Sequence, residues 1–225
     1  MELLYTDKRI AVAVKPPGVL STDEPGGMPE LLRARLGTPC IRTVHRLDAA
    51  TGGVMVFARS AAAASILSGQ VRDHRFRKIY LAVVRGDPGQ GGIWRDMLGR
   101  DPVRRVTYIA REPGKDVRPA ELSYETLAVR EGLSLVRVTL HTGRTHQIRV
   151  HSASIGHPLA GDDLYGGRRD RIGRQALHCA KQTFRVPEYT EVPDGICIRT
   201  PVSAGTGRTV TVESPLPQDM ADLLS

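Results

Sequence analysis

The sequence predicts an α+β fold, a mixed and largely antiparallel sheet with flanking helices, and three observations carry that prediction. Short apolar or alternating runs recur along most of the chain with short turns between them. Stretches with helical periodicity are few and irregularly placed, and regular strand-helix-strand units are missing from the pattern.

Residues 9–14 form an apolar run that Pro16, Pro17 and Gly18 stop, because proline fixes φ and lacks a ladder donor. Residues 29–36 read as a helix, with Pro29 in its first turn, Leu31 and Leu32 facing inward and Gly37 at its end. Residues 54–58 are a strand, after which Ser60 can cap an alanine-rich helix running toward Gly69. A strand is expected at 79–85. Residues 133–141 alternate, with Val136, Val138 and Leu140 on one face and Arg137, Thr139 and His141 on the other, as in a half-buried strand. Residues 145–155 set Ile148, Ser152 and Ile155 at helical spacing, and Gly156, His157 and Pro158 end that helix. Strands at 177–184 and 209–213 and a short helix from Gln218 complete the pattern. Residues 86–92, 111–118 and 166–173 read as loops, and none looks like a linker, so one domain over residues 1–225 is expected.

With 40% hydrophobic and 25% charged residues, 23 Gly and 15 Pro, the chain is that of a folded, turn-rich globular protein, which excludes fibrous and low-complexity readings. Lys and Arg number 32 against 24 Asp and Glu, leaving +8. Such an excess draws polyanions, so nucleic acid is the leading partner class, although arginine richness equally fits a GC-rich genome. Cys40, Cys179 and Cys197 are too few and too scattered for a disulfide framework or a zinc knuckle, which suits a reducing compartment. The N-terminal stretch lacks the basic start and apolar run of a signal peptide, and no apolar stretch approaches membrane-spanning length. A soluble, cytoplasmic protein is expected.

Two segments carry chemistry. In the first, residues 43–53, the carboxylate of Asp48 stands in a loop between His45 and Arg46 on one side and Thr51, Gly52 and Gly53 on the other. Taken alone, an aspartate there is more often an ordinary turn former. In the second, residues 142–151, a strand end, the break at Gly143 and a helix start carry Arg144, His146, Gln147, Ile148 and Arg149. An arginine here can hold a catalytic carboxylate ionised and oriented through a bidentate pair, or merely solvate a helix start.

Together these segments resemble the RluA-type pseudouridine synthases: HRLDAATGG is similar to that family's HRLDxxTSG signature, and TGRTHQIRVH with GHPLAGDDLYG to its downstream motif. VAVKPPG at 12–18 and RKIYLAVVRG at 77–86 extend the resemblance over nearly the whole chain. It implies the pseudouridine synthase fold with a central RNA-binding cleft. It implies that Asp48 is the catalytic aspartate, Tyr80 the aromatic that stacks on the target base, and Arg149 the arginine paired to the aspartate. Ile148 then lines the pocket and Arg46 enters the RNA stack where the uridine leaves it; His45, Thr51, Arg144 and Gln147 join the substrate-binding set. The implied reaction isomerises uridine in ribosomal or transfer RNA by base flipping, with no metal or organic cofactor. No obligate protein partner is implied, and a monomer is expected. One departure is Gly52, where the family has Ser. With fewer than 15 residues before Lys15, an upstream S4-type domain is not expected. Arg72, Arg75, Arg77, Lys78, Arg168, Arg169, Arg171 and Arg174 are candidates for phosphate contacts.

Rival readings fare worse. His141, His146, His151 and His157 suggest a metal hydrolase, but intervals of five put helical side chains about 140° apart. A non-catalytic RNA-binding relative would have lost one of Asp48, Tyr80 or Arg149. Gly205-Thr206-Gly207 lacks the rest of any nucleotide-binding motif.

Overall fold

Apolar runs too short for helices become the buried strands of this protein, whose computed structural model describes residues 1–188 and 207–225. The elements in the first part of the chain are β1 (Glu2–Thr6), β2 (Ile10–Lys15), α1 (Met28–Leu36), β3 (Arg42–Thr43), β4 (Gly52–Ala58) and α2 (Ala61–Arg72). Then come β5 (Arg77–Arg85), β6 (Gly91–Asp101), β7 (Val106–Ile109), β8 (Arg118–Arg130), β9 (Leu133–Leu140) and α3 (Gln147–Ser154). The last are β10 (Leu177–Arg185), β11 (Thr209–Glu213) and α4 (Gln218–Ala221). Contacts divide the chain into one unit of Met1–Arg77 with Lys181–Ser214 and another of Lys78–Ala180 with Pro215–Ser225.

In the first unit β2 pairs antiparallel with both β1 and β4, in a register running from Ile10↔Ala58 to Lys15↔Gly53. Neighbours on both edges and cover on both faces explain why these strands read as continuous apolar runs rather than alternating ones. Ile10, Val12, Val54 and Val56 pack with Ala63 and Leu67 of α2 and with Phe76 and Phe184, whose rings stack 5.3 Å apart. Ser60 caps α2 as expected, its hydroxyl accepting from Ala63 N at 3.0 Å. The buried amide of Gln70 closes the far side, exchanging two hydrogen bonds with the backbone of Arg185. In α1, Gly37 takes the left-handed conformation expected of it, and Met28, Pro29 and Leu32 are buried while Leu31 is not. Leu31 is 36% exposed, because adjacent helical positions lie 100° apart and one narrow stripe meets the core.

In the second unit the antiparallel neighbours run β5, β9, β8, β6, β7. Strand β9 has the predicted alternation, Val136 and Val138 being buried and Arg137 exposed. Strands β6, β7 and β8, like β1 in the first unit, were not foreseen. Glycine, proline and charge interrupt β6 and β8, and Ile93, Met97, Leu127 and Val129 stand exposed, so ladder pairing with neighbours rather than apolar periodicity makes them strands. Helix α3 starts at Gln147, two residues later than expected, and it ends before Ile155, which is left 41% exposed. Met220 of α4 and Leu223 pack on Val83, Leu133, Ala160 and Ile172.

The α+β class with a largely antiparallel sheet stands. Neither Cys40 nor Cys179 is in a disulfide, while Cys197 and the Gly205-Thr206 pair lie outside the described residues. Among the described residues, no helix is long and apolar enough to cross a membrane.

Candidate active site

Four of the expected site residues lie in the first unit, on the segment leading from β3 into β4. Its shape follows from two anchors. Lys15, fully buried at the end of β2, turns its ammonium onto three carbonyl oxygens, those of Pro16 at 3.0 Å, Val19 at 2.6 Å and Ala49 at 2.7 Å. Burying a charge is tolerable only with partners of this kind, so the lysine folds the Pro16-Pro17-Gly18 turn and the Asp48 segment onto itself. Gly18 N adds a hydrogen bond to the Ala49 carbonyl at 2.8 Å. On the other side of Asp48, the Ser21 hydroxyl donates to Leu47 O at 2.8 Å and accepts from Leu47 N at 3.0 Å.

Asp48 is therefore held between two neighbours whose backbones are fixed, and its own carbonyl accepts from Thr51 N at 3.0 Å. Its side chain is half-buried, the side chain of Arg46 is exposed, and Leu47 between them is buried. His45 is buried against Phe76, ring centres 5.2 Å apart, and its Nε2 accepts from Val56 N at 3.3 Å. Thr51 is buried where β4 begins. Gly52 has no left-handed φ, whereas Gly53 has φ 123°, so the backbone demand for glycine falls on residue 53.

The other five lie in the second unit. Tyr80 is buried in β5 opposite Val138. Gln147 is also buried, and its amide ties the α3 start: Oε1 accepts from Thr142 Oγ1 at 2.9 Å and Arg144 N at 3.0 Å, while Nε2 donates to Glu121 O at 3.0 Å. Arg144 is exposed, with Nε on Pro119 O. His146 precedes the helix at φ 55°, a left-handed turn that aims the next residues inward, so Ile148 and Arg149 are both buried.

Arg149 is the most elaborately held side chain of the set. Its Nε and Nη2 donate to the two carboxylate oxygens of Asp162, each at 2.7 Å, in a fork with side-chain exposures of only 8% and 1%. The guanidinium lies over the Tyr165 ring, 5.0 Å from its centre. The Tyr165 hydroxyl accepts from Thr107 N at 2.8 Å and exchanges a hydrogen bond with His146 Nδ1 at 2.9 Å. Burial raises the Tyr165 phenol, while the Thr107 N–H and the Arg149 charge pull it back. Gly161 and Gly167 let this loop fold: a Cβ at 161 would sit 2.0 Å from Arg174 O and one at 167 only 1.7 Å from Leu159 O. Sequence reasoning did not assign Asp162 and Tyr165 to the site. The available signal was the GHPLAGDDLYG segment, which holds both residues and belongs to the resemblance; the structure makes Asp162 a partner of Arg149.

The four clustered histidines do not converge. His141 meets Ser123, His146 meets Tyr165 and His157 meets Arg85 O, while His151 is buried with Nε2 3.5 Å from Asp96. Of the arginines suggested for phosphate contact, Arg75 pairs with Asp73, Arg169 with Asp163, Arg171 with Glu131 and Arg174 with Asp219. Lys78 is half-buried, and burial lowers its pKa.

A carboxylate fixed on both sides and a buried arginine fork sit on the motifs that suggested a uridine isomerase, and residues 9–154 match the RNA pseudouridylate synthase family. The chain belongs to that family. Among its relatives, the dual-specificity RNA pseudouridine synthase RluA of Yersinia pestis is 35% identical over 199 residues, 84% of this chain and 94% of that protein. The ribosomal large subunit pseudouridine synthase D of Nitrosomonas europaea is 33% identical over 241 residues, all of this chain and 64% of that protein's length. Among solved structures, human RNA pseudouridylate synthase domain containing 1 superposes with a TM-score of 0.75 at 28% identity, over 95% of this chain and 82% of that one. This synthase is thus RluA-type by sequence, and its fold is that of a pseudouridylate synthase domain.

Proposed function

We propose that this synthase converts uridines of ribosomal RNA to pseudouridine, with Asp48 as the catalytic carboxylate. The observation that carries the reading is the clamp on Leu47 and Ala49, which fixes the backbone on both sides of Asp48 while leaving its side chain only half-buried. A preset carboxylate of this kind is what a reaction run by a single side chain requires. The isomerisation breaks the bond from C1′ to N1, turns the uracil and joins C1′ to C5; the C5 proton is lost and N1 gains one, so no outside electrons or atoms are consumed. One ionised carboxylate serves either as nucleophile at C1′ or as base at C2′, without metal or organic cofactor.

The remaining roles follow the family pattern. Tyr80 stacks on the uracil, Ile148 lines its pocket, and exposed Arg46 fills the gap left in the RNA when the base flips. Arg149 is the cation assigned to the catalytic carboxylate; Asp162 takes its Nε and Nη2 donors and so sets the plane of the guanidinium. His45, Thr51 and Gln147 support these groups through the backbone. The ribosomal substrate is supported by the name of the Nitrosomonas relative, and the proposal includes a cytoplasmic monomer.

The test replaces Asp48 by Asn, which keeps the size but removes the charge. Tritium release from RNA labelled at uracil C5 should stop while RNA binding persists. Release near the wild-type rate would end the proposal.

A further inference from the structure

Two of the groups that hold Arg149 come from a single turn, and the spacing of that turn explains why. Residues Asp163–Tyr165 form a 3-10 turn with Asp162 at its start. Side chains three apart eclipse one another in such a turn. Asp162 is buried and Tyr165 half-buried, while Asp163 and Leu164 between them stand exposed, so the acid and the ring face the same way. The Asp162 carbonyl accepts from Tyr165 N at 3.1 Å and from Gly167 N at 2.8 Å, which locks the spacing. Gly166, at φ 88°, ends the turn.

Arg149 meets both members of this pair. Asp162 grips the Nε and Nη2 edge through two bonds of 2.7 Å, and the guanidinium carbon stands over the Tyr165 ring, 5.0 Å from its centre. The fork fixes one edge; the ring is a second support, because a guanidinium that swings about the fork leaves the negative face of the ring. The ring is held in turn. Its hydroxyl accepts from Thr107 N at 2.8 Å and shares a hydrogen bond of 2.9 Å with His146 Nδ1, three residues before Arg149. It also packs on Leu98, Ala120 and Val150. Packing alone calls for neither a cation on the ring nor two partners on the hydroxyl, and a leucine would satisfy it.

We propose that Tyr165 is a positioning residue of the isomerisation: with Asp162 three positions before it, it keeps the guanidinium of Arg149 in the one orientation that the chemical step uses. This role rests on the part given to Arg149 in the proposed function. Misplacing a group by about 1 Å can cost on the order of 10²-fold in rate, so the loss falls on turnover rather than on RNA affinity.

The test measures single-turnover tritium release from RNA labelled at uracil C5 and, separately, Kd for the same RNA, on full-length variants checked by thermal melting. Tyr165→Leu should slow release about 10²-fold and Tyr165→Phe less than about threefold, with Kd in both within a factor of about two of wild type. Tyr165→pentafluorophenylalanine keeps the shape of phenylalanine but reverses the charge on the ring face, so it should be roughly tenfold slower than Tyr165→Phe. A ring that only packs predicts equal rates for those two. Equal rates, a Phe variant as slow as the Leu variant, or a Leu variant at the wild-type rate overturns the proposal. The fluorinated comparison decides it even where Tyr165→Leu does not fold. Arg149→Met tells two failures apart: if it is slow while Tyr165→Leu is not, only the positioning role falls, and if it matches wild type, the part given to Arg149 falls as well.

Discussion

Replacing Asp162 by Ala should cost far more than the loss of an ordinary ion pair. In the folded protein Arg149 and Asp162 have side-chain exposures of 8% and 1% and share two hydrogen bonds of 2.7 Å. Removing the carboxylate leaves a guanidinium in a place water hardly reaches, and breaking a buried pair from one side costs about 3–5 kcal/mol. In a protein of this size each kcal/mol shifts the melting temperature by about 2–4 °C, so a fall of roughly 6–20 °C is expected. Removing both charges reverses the logic. Arg149→Met/Asp162→Leu fills the site with apolar atoms and should recover most of the lost stability, since such swaps are often neutral or better. Urea unfolding of wild type, the single variant and the double variant measures this directly. A single-variant loss below about 1 kcal/mol, the scale of an exposed pair, would refute the reasoning. So would a double variant no more stable than the single one. Activity should not return in the double variant even where stability does, which separates the work of Arg149 from its packing.

Two more outcomes follow from the same geometry. Gly52→Ser should change stability by less than about 1 kcal/mol, because φ is permissive there and the new Cβ meets only ordinary to tight contacts, 3.2 Å to Pro17 Cδ and 3.4 Å to Lys15 O. Gly53→Ala should cost about 1–3 kcal/mol, since φ 123° is closed to alanine; urea titration of the pair reversing that order would mean residue 52 carries the strain. His151 is buried with Asp96 as its nearest charge and the Trp94 ring edge-on at 6.2 Å; burial lowers its pKa, while Asp96 opposes the shift. The unfolded chain then binds the proton more readily than the folded one, so this stabilisation is intact above about pH 6.5 and declines as pH falls below it. His151→Leu should flatten the acid side of the melting-temperature profile, and equal slopes in both proteins would count against the burial argument.

What the chain alone determined is local. Pro16-Pro17-Gly18 ends β2, Gly37 ends α1 and Ser60 starts α2 because proline geometry, a left-handed φ and a hydroxyl cap are decided within a few residues. The continuous apolar runs of β2 and β4 and the alternation of β9 were equally readable, since burial on two faces or one writes itself into every residue. The two motif-bearing segments, residues 43–53 and 142–151, were legible as a family resemblance. Tertiary structure decided what depends on distant partners. Strands β6 and β8 carry too many charges and glycines to declare themselves and exist through their ladders. Leu31 shares its apolar character with buried Leu32, but the core meets α1 along one stripe, while Ile155 lies just past the end of α3, whose residues from Gln147 to Ser152 are all buried. Asp162 is one of two adjacent acids in the sequence, and only the loop built on Gly161 and Gly167 delivers it to Arg149. Tyr165 gained its place from Thr107, 58 positions away. Contacts of that separation follow from how strands are ordered in space, and no short window of sequence records that order.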